Sequence, residues 1–188
     1  FFYPQLQAVF PDQLGRVPLE TFYRAINKVE RSLIRVEADE VTYNLHVMIR
    51  FGLELELLEG KLAVRDLPEA WRSAYQADLG IASPDDRDGV MQDVHWSGGY
   101  FGYFPTYTLV NMYAAHFFAA AAKDLGDLEG SFARGEFAPF LAWLRECIHS
   151  QGGRYRPRDL VRQVTGEERD SRFLVEYLSG KFKKLYRV

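Results

Sequence analysis

The sequence predicts a mainly α-helical protein, and three observations predict it. Apolar residues recur at intervals of three and four over most of the 188 residues. Proline stands near the start and glycine at the end of several of these stretches, the punctuation that opens and closes helices. Hydrophobic residues at 47% and charged residues at 26% are an ordinary globular balance, and 14 Phe with 11 Tyr predict a ring-rich interior.

The elements follow in order. Residues 1–10 are apolar with helical spacing and stop near Pro11. Pro18 then precedes Leu19, Phe22, Ile26 and Val29, the spacing of a second helix. Residues 33–38 partly alternate apolar and polar, which predicts a short strand. Asp39 is a cap for a helix in which Val41, Leu45, Met48, Ile49, Leu53 and Leu57 share one face before Gly60. Residues 67–79 read as a helix between Pro68 and Gly80, and residues 81–88 as a solvated loop rich in Asp. Residues 89–96 predict a second short extended piece, a strand or half of a hairpin, broken by Ser97-Gly98-Gly99. A long helix runs from near Pro105 to about Lys123 through Leu109, Met112, Tyr113, His116, Phe117 and Ala120. Helices over 137–149, 158–164 and 172–186 complete the chain, the first two ended by Gly152-Gly153 and Gly166. No repeat, low-complexity tract or convincing boundary interrupts residues 1–188, so one multi-helix domain is expected, with the strand or hairpin pieces beside a cleft.

Charge and cysteine content exclude some classes. The net charge of -3 lacks the basic face a nucleic-acid binder needs, and Lys181, Lys183, Lys184 and Arg187 read as cations favouring a helix C-terminus. No apolar run reaches membrane-spanning length. Cys147 is the single cysteine and lies in a helical pattern as a small hydrophobe, so a reducing, cytoplasmic setting is expected. The start lacks both Met and the form of a signal peptide; Phe1-Phe2-Tyr3-Pro4 reads as the interior of a longer chain.

The chemistry concentrates in two places. Of the four histidines, His46 and His116 lie in apolar helices and read as core residues, and His149 at a helix C-terminus. None forms a HxxxH pair, and nothing nearby supplies three metal donors. His95 differs. In an extended piece, Asp93 and His95 point to one side, where a carboxylate fixes an imidazole's tautomer. Gly98, Gly99 and Gly102 follow, and then rings at Tyr100, Phe101, Tyr103, Phe104 and Tyr107 whose hydroxyls suit a developing oxyanion. A polar turn under an aromatic cap is the equally weighted alternative. The second place is Arg35, set among Leu33, Ile34 and Val36. A guanidinium there needs anions. Either Glu37 and Asp39 supply them in an ion-pair network, or Arg35 grips a substrate carboxylate bidentately. Spacing does not choose.

These same residues carry a family resemblance. Ile34-Arg35-Val36-Glu37-Ala38-Asp39 is similar to the IRxxAD motif, and Gly89-Val90-Met91-Gln92-Asp93-Val94-His95-Trp96 to the GxxQDxHW motif, of the Taq-type HExxH metallocarboxypeptidases. The text after each motif, residues 39–46 and 101–107, resembles that family too. The resemblance implies a mostly helical fold with a long groove and a small sheet beside the metal, usually in a homodimer. It implies hydrolysis of C-terminal residues from peptides, with zinc or cobalt held by HExxH and a later HES motif. Neither motif occurs in this chain, so the resemblance implies the C-terminal half of a larger enzyme, with no metal ligands and no activity by itself. Arg35 is then expected to bind the substrate carboxylate, with Asp39 supporting that arginine or the local turn. Asp93 and His95 line the metal side of the cleft, and Tyr107, with Tyr103 second, stabilises the oxyanion. The competing expectation is a non-catalytic helical module that oligomerises.

Overall fold

The computed structural model describes residues 1–187. They form ten α-helices and four short 3-10 turns, and the chain gathers into two compact units. One unit is residues 27–110; the other combines residues 1–26 with 111–188.

The unit of residues 27–110 holds α4 (Tyr43–Leu58) and α5 (Leu67–Leu79). Pro68 occupies the first turn of α5, where its missing N–H costs nothing, and Gly80 closes the helix at φ 67°, in the left-handed region that glycine enters freely. Ile49 and Leu53 of α4 pack with Leu67, Trp71, Tyr75 and Leu79 of α5, and Leu33, Ile81, Val90 and Trp96 close around them. The buried face of α4 also holds His46, Arg50 and Glu54, an unusual polar load for a core-facing stripe.

The second unit contains α1 (Tyr3–Val9), α2 (Pro11–Leu14), α3 (Leu19–Ile26), α7 (Leu128–Ala133), α8 (Ala138–Cys147), α9 (Pro157–Thr165) and α10 (Arg172–Tyr186). The long α6 (Thr106–Leu125) starts in the first unit and continues in this one. Ala121, Leu128 and Trp143 form its core with Phe117, Phe132, Phe140 and Ile148. Trp143 donates its indole N–H to Asp124 at 2.8 Å. The backbone N–H of Asp170 donates to Nε2 of the buried His116 at 2.8 Å, while the Nδ1 of that ring is buried without a partner.

The strand or hairpin pieces expected over residues 33–38 and 89–96 do not form; no strand occurs among the described residues. Arg35–Glu37 and Val90–Gln92 are 3-10 turns instead. The amide of Glu37 bonds the carbonyl of Ile34, that of Ala38 bonds Arg35, and those of Gln92 and Asp93 bond Gly89 and Val90. Asp39 and Asp93 then capture the next amides with their side chains. Local bonds of this kind compete with a ladder, and here they leave no run of free amides for a neighbouring strand.

Candidate functional site

Both sequence motifs lie in the unit of residues 27–110, which brings Arg35, Asp39, Asp93, His95, Tyr103 and Tyr107 into one unit. Asp39 is engaged in its own turn. One oxygen accepts from the amides of Val41 and Thr42, both at 2.9 Å; the other accepts from the Thr42 hydroxyl at 2.8 Å and the Glu30 amide at 3.0 Å. Burial raises its pKa, but these hydrogen bonds outweigh burial and hold the carboxyl below its ordinary value. The residue therefore serves the local turn that leads into α4.

Arg35 is half-buried. Its Nη1 donates to the carbonyl of Gln92 at 2.9 Å, and its guanidinium carbon lies 5.2 Å from the centre of the Phe104 ring. The ion-pair network with Glu37 and Asp39 does not form: no carboxylate lies within 4.0 Å of Arg35 among the described residues. A guanidinium has five N–H donors. Most of those of Arg35 thus remain available to an anion.

The Asp93 carboxylate does not bond the His95 ring. One oxygen accepts from the backbone N–H of His95 and of Trp96, both at 2.8 Å, and the other accepts from Arg50 at 3.1 Å. The Asp93 and Arg50 side chains are 1% and 0% exposed, a fully desolvated ion pair. Arg50 lies 4.8 Å from the ring centres of both Trp71 and Phe104, so its flat faces are covered by aromatics. Burial lowers the pKa of Arg50, and the nearby Tyr75 and Asp93 oppose that effect. Four residues on, Glu54 accepts from the indole N–H of Trp96 at 3.2 Å and from the amide of Gly102.

The His95 ring stands among aromatics, 5.5 Å from Tyr103, 5.2 Å from Phe104 and 6.3 Å from Tyr107. Its Nδ1 is buried without a partner. Burial lowers the imidazole below its ordinary value; Asp93 opposes this and Arg35 and Arg50 add to it. Neutral imidazole therefore prevails at pH 7. Tyr107 opens α6, tied to α4 by a 2.9 Å bond from the Thr108 hydroxyl to Asn44. Hydrogen bonding with Tyr103, then burial, pushes the Tyr107 phenol above its ordinary value, so it stays protonated and able to donate.

Gly89, the first residue of the second motif, has a steric reason to be glycine. A Cβ there would lie 2.5 Å from Oγ of Ser83 and 2.8 Å from the carbonyl oxygen of Asp85. Sequence reasoning missed Arg50 and Glu54. Their signal was legible: opposite charges four apart on the face that His46, Ile49 and Leu53 mark as buried.

A catalytic metal needs about three close donor side chains. No group of three His, Cys, Asp or Glu among the described residues is disposed to hold one, so this chain's own residues do not fit the metal. What the site does offer is a half-buried guanidinium without a carboxylate partner among the described residues, a neutral imidazole and two phenols.

The family described as Carboxypeptidase Taq (M32) metallopeptidase matches residues 1–182. Thermostable carboxypeptidase 1 of Thermus thermophilus is 58% identical over 185 residues, which are 98% of this chain and 36% of that protein. Carboxypeptidase 1 of Bacillus subtilis is 44% identical over 185 residues, 37% of its length. The crystal structure of the M32 carboxypeptidase from Deinococcus radiodurans R1 superposes with a TM-score of 0.96 and 47% identity, covering 100% of this chain and 38% of that one. The chain thus spans little more than a third of the length of these relatives.

Proposed function

Because the chain belongs to the M32 (Taq) metallocarboxypeptidase family, we propose that it is the substrate-recognising portion of an enzyme that removes C-terminal residues from peptides. The observation that carries this reading is Arg35: a half-buried guanidinium with one backbone acceptor and no carboxylate partner among the described residues. Such a group suits the terminal carboxylate of a peptide, which fits its planar fork by two parallel bonds.

In this reading Arg35 binds the carboxylate, and His95, Tyr107 and Tyr103 hydrogen-bond the adjacent peptide group. Neutral His95 and protonated Tyr107 are the forms that donate without adding net charge. Asp93 is a positioning residue, since its carboxylate is consumed by Arg50 and two amides, and Asp39 holds the turn behind Arg35. The metal of the family, zinc or cobalt in this proposal, has no set of ligands among the described residues, and no step is assigned to it. Hydrolysis is accordingly assigned to a larger assembly, a cytoplasmic homodimer in this proposal, and not to these 188 residues alone.

The test is binding. N-acetyl-alanyl-alanine and its C-terminal amide are titrated into the 188-residue chain and followed by NMR. The acid should shift the Arg35 side-chain and His95 signals and the amide should not, and Arg35→Gln should abolish the difference. An equal response to acid and amide would sink the carboxylate role.

A second reading, an oligomerising module without chemistry, is favoured by one observation. Met48, Phe51, Leu55 and Leu58 form an exposed apolar stripe on α4.

A further inference from the structure

The segment from Asp93 to Phe104 carries half of the proposed site residues, Asp93, His95 and Tyr103, yet it contains no helix or strand. Gly99 and Gly102 within it adopt φ of 77° and 80°, conformations that leave a backbone free to take other paths. Backbone turn bonds from Gly98, Gly99 and Tyr100 shape the segment internally, and a small set of side-chain bonds ties it to two residues one turn apart on α4. Arg50 holds Asp93, which holds the amides of His95 and Trp96. Glu54 holds the Trp96 indole and the Gly102 amide.

We propose that Arg50 and Glu54 are positioning residues, two buried side chains of opposite charge that clamp the Asp93–Gly102 segment at its two ends, Arg50 through its ion pair with Asp93, and thereby set His95 and the tyrosines beside Arg35. The proposal rests on the carboxylate-recognition reading of the site. It adds two residues that touch no substrate and act through others.

Three features support it. First, Arg50 and Glu54 are buried on α4, and Arg50 forms a fully desolvated ion pair with Asp93. A buried ion pair is a poor device for stability, since well-packed apolar residues commonly do as well or better. Its retention is better explained by the geometry it imposes. Second, the Phe104 ring, 1% exposed, is shared: Arg50 lies 4.8 Å from it, Arg35 5.2 Å and His95 5.2 Å. A shift of Arg50 therefore moves the surface on which the two proposed substrate-facing groups rest. Third, Nε and Nη2 of Arg50 have no hydrogen-bond partner by distance and angle; the guanidinium is held by the Asp93 carboxylate, by the faces of Trp71 and Phe104, and by the nearby Tyr75 hydroxyl. That makes its position sensitive to its shape as well as its charge.

Two variants test the role. Glu54→Gln keeps an oxygen for the Gly102 amide but turns an NH2 towards the indole N–H of Trp96. Arg50→Lys keeps the charge opposite Asp93 but loses the planar stack on Phe104. Each is read three ways: urea midpoint, proton contacts between the His95 ring and Tyr103 or Phe104 by NMR, and affinity for N-acetyl-alanyl-alanine. The expected result is a folded chain in which the His95 contacts are lost or averaged and acid binding weakens several-fold. Unchanged His95 contacts in both folded variants would overturn the proposal, and so would unfolding of both, which makes the pair structural only. Failure of the wild-type chain to distinguish acid from amide would overturn the carboxylate reading instead, while the His95 contacts still decide the clamp.

Discussion

His46 shows how burial at one residue becomes a property of stability. Its imidazole is fully buried on α4, with Nδ1 3.0 Å from the Tyr75 hydroxyl. Burial, reinforced by Arg50, lowers its pKa from 6.5 to about 4. Between those values the unfolded chain binds the proton and the folded chain does not. Stability therefore rises with pH across this window: the full contribution is present above about pH 6.5 and is lost as pH falls towards 4. The loss is at most about 3 kcal/mol. Urea unfolding measured from pH 7 to pH 4 should show the midpoint fall, and His46→Gln should remove that part of the slope. At the same scale, the sequence made Arg35, Asp93 and His95 legible because they sit in dense motifs of unlike residues. Arg50 and Glu54 carried only the weaker signal of opposite charges four apart on a buried helix face, and their partners lie about forty residues away. The role of Asp39 was half legible. A carboxylate three residues before a helix announces a turn, but only the fold shows that none of it is left for Arg35.

Among the elements, helices were readable where local rules act alone. The α5 helix spans Leu67–Leu79, between the Pro and Gly that punctuate it in the sequence. The extended pieces were not readable, because alternation over six to eight residues cannot reveal whether a partner strand exists. The six-residue α7 was missed for a related reason. It is opened by Asp127, whose carboxylate accepts from the amide of Gly130, within a stretch too short for periodicity to register. The 3-10 turn that begins after Gly89 is the element that aims Asp93, and it depends on a close approach of backbone to residues 83–85. Gly89→Ala pushes a methyl into the Asp85 carbonyl and should destabilise the unit by roughly 1–3 kcal/mol. The measurement is a urea midpoint together with the Asp93 and His95 amide shifts. Unmoved amide shifts would mean that the turn does not govern the segment.

For the whole molecule, the exposed stripe of Met48, Phe51, Leu55 and Leu58 is the feature that matters most in solution. With Val47, Ile49 and Leu53 buried, α4 carries apolar residues on its exposed side as well as its buried one. An exposed apolar stripe favours association. Light scattering over a range of concentrations should show dimers or larger species, and Phe51→Glu with Leu55→Lys should restore a monomer. A wild-type chain that stays monomeric throughout would remove the support for the oligomerising reading.

The division of the chain has a consequence for how the protein is made. Residues 27–110 are contiguous, whereas their neighbour unit is assembled from residues 1–26 and 111–188. Synthesis runs from the N-terminus, and at 5–20 residues per second the 78 residues from 111 to 188 take roughly 4–16 s. Throughout that interval residues 1–26 lack the rest of their unit, while residues 27–110, which include Arg35 and His95, are already synthesised. Vectorial synthesis thus gives residues 27–110 a head start in folding over the unit that joins residues 1–26 to residues 111–188.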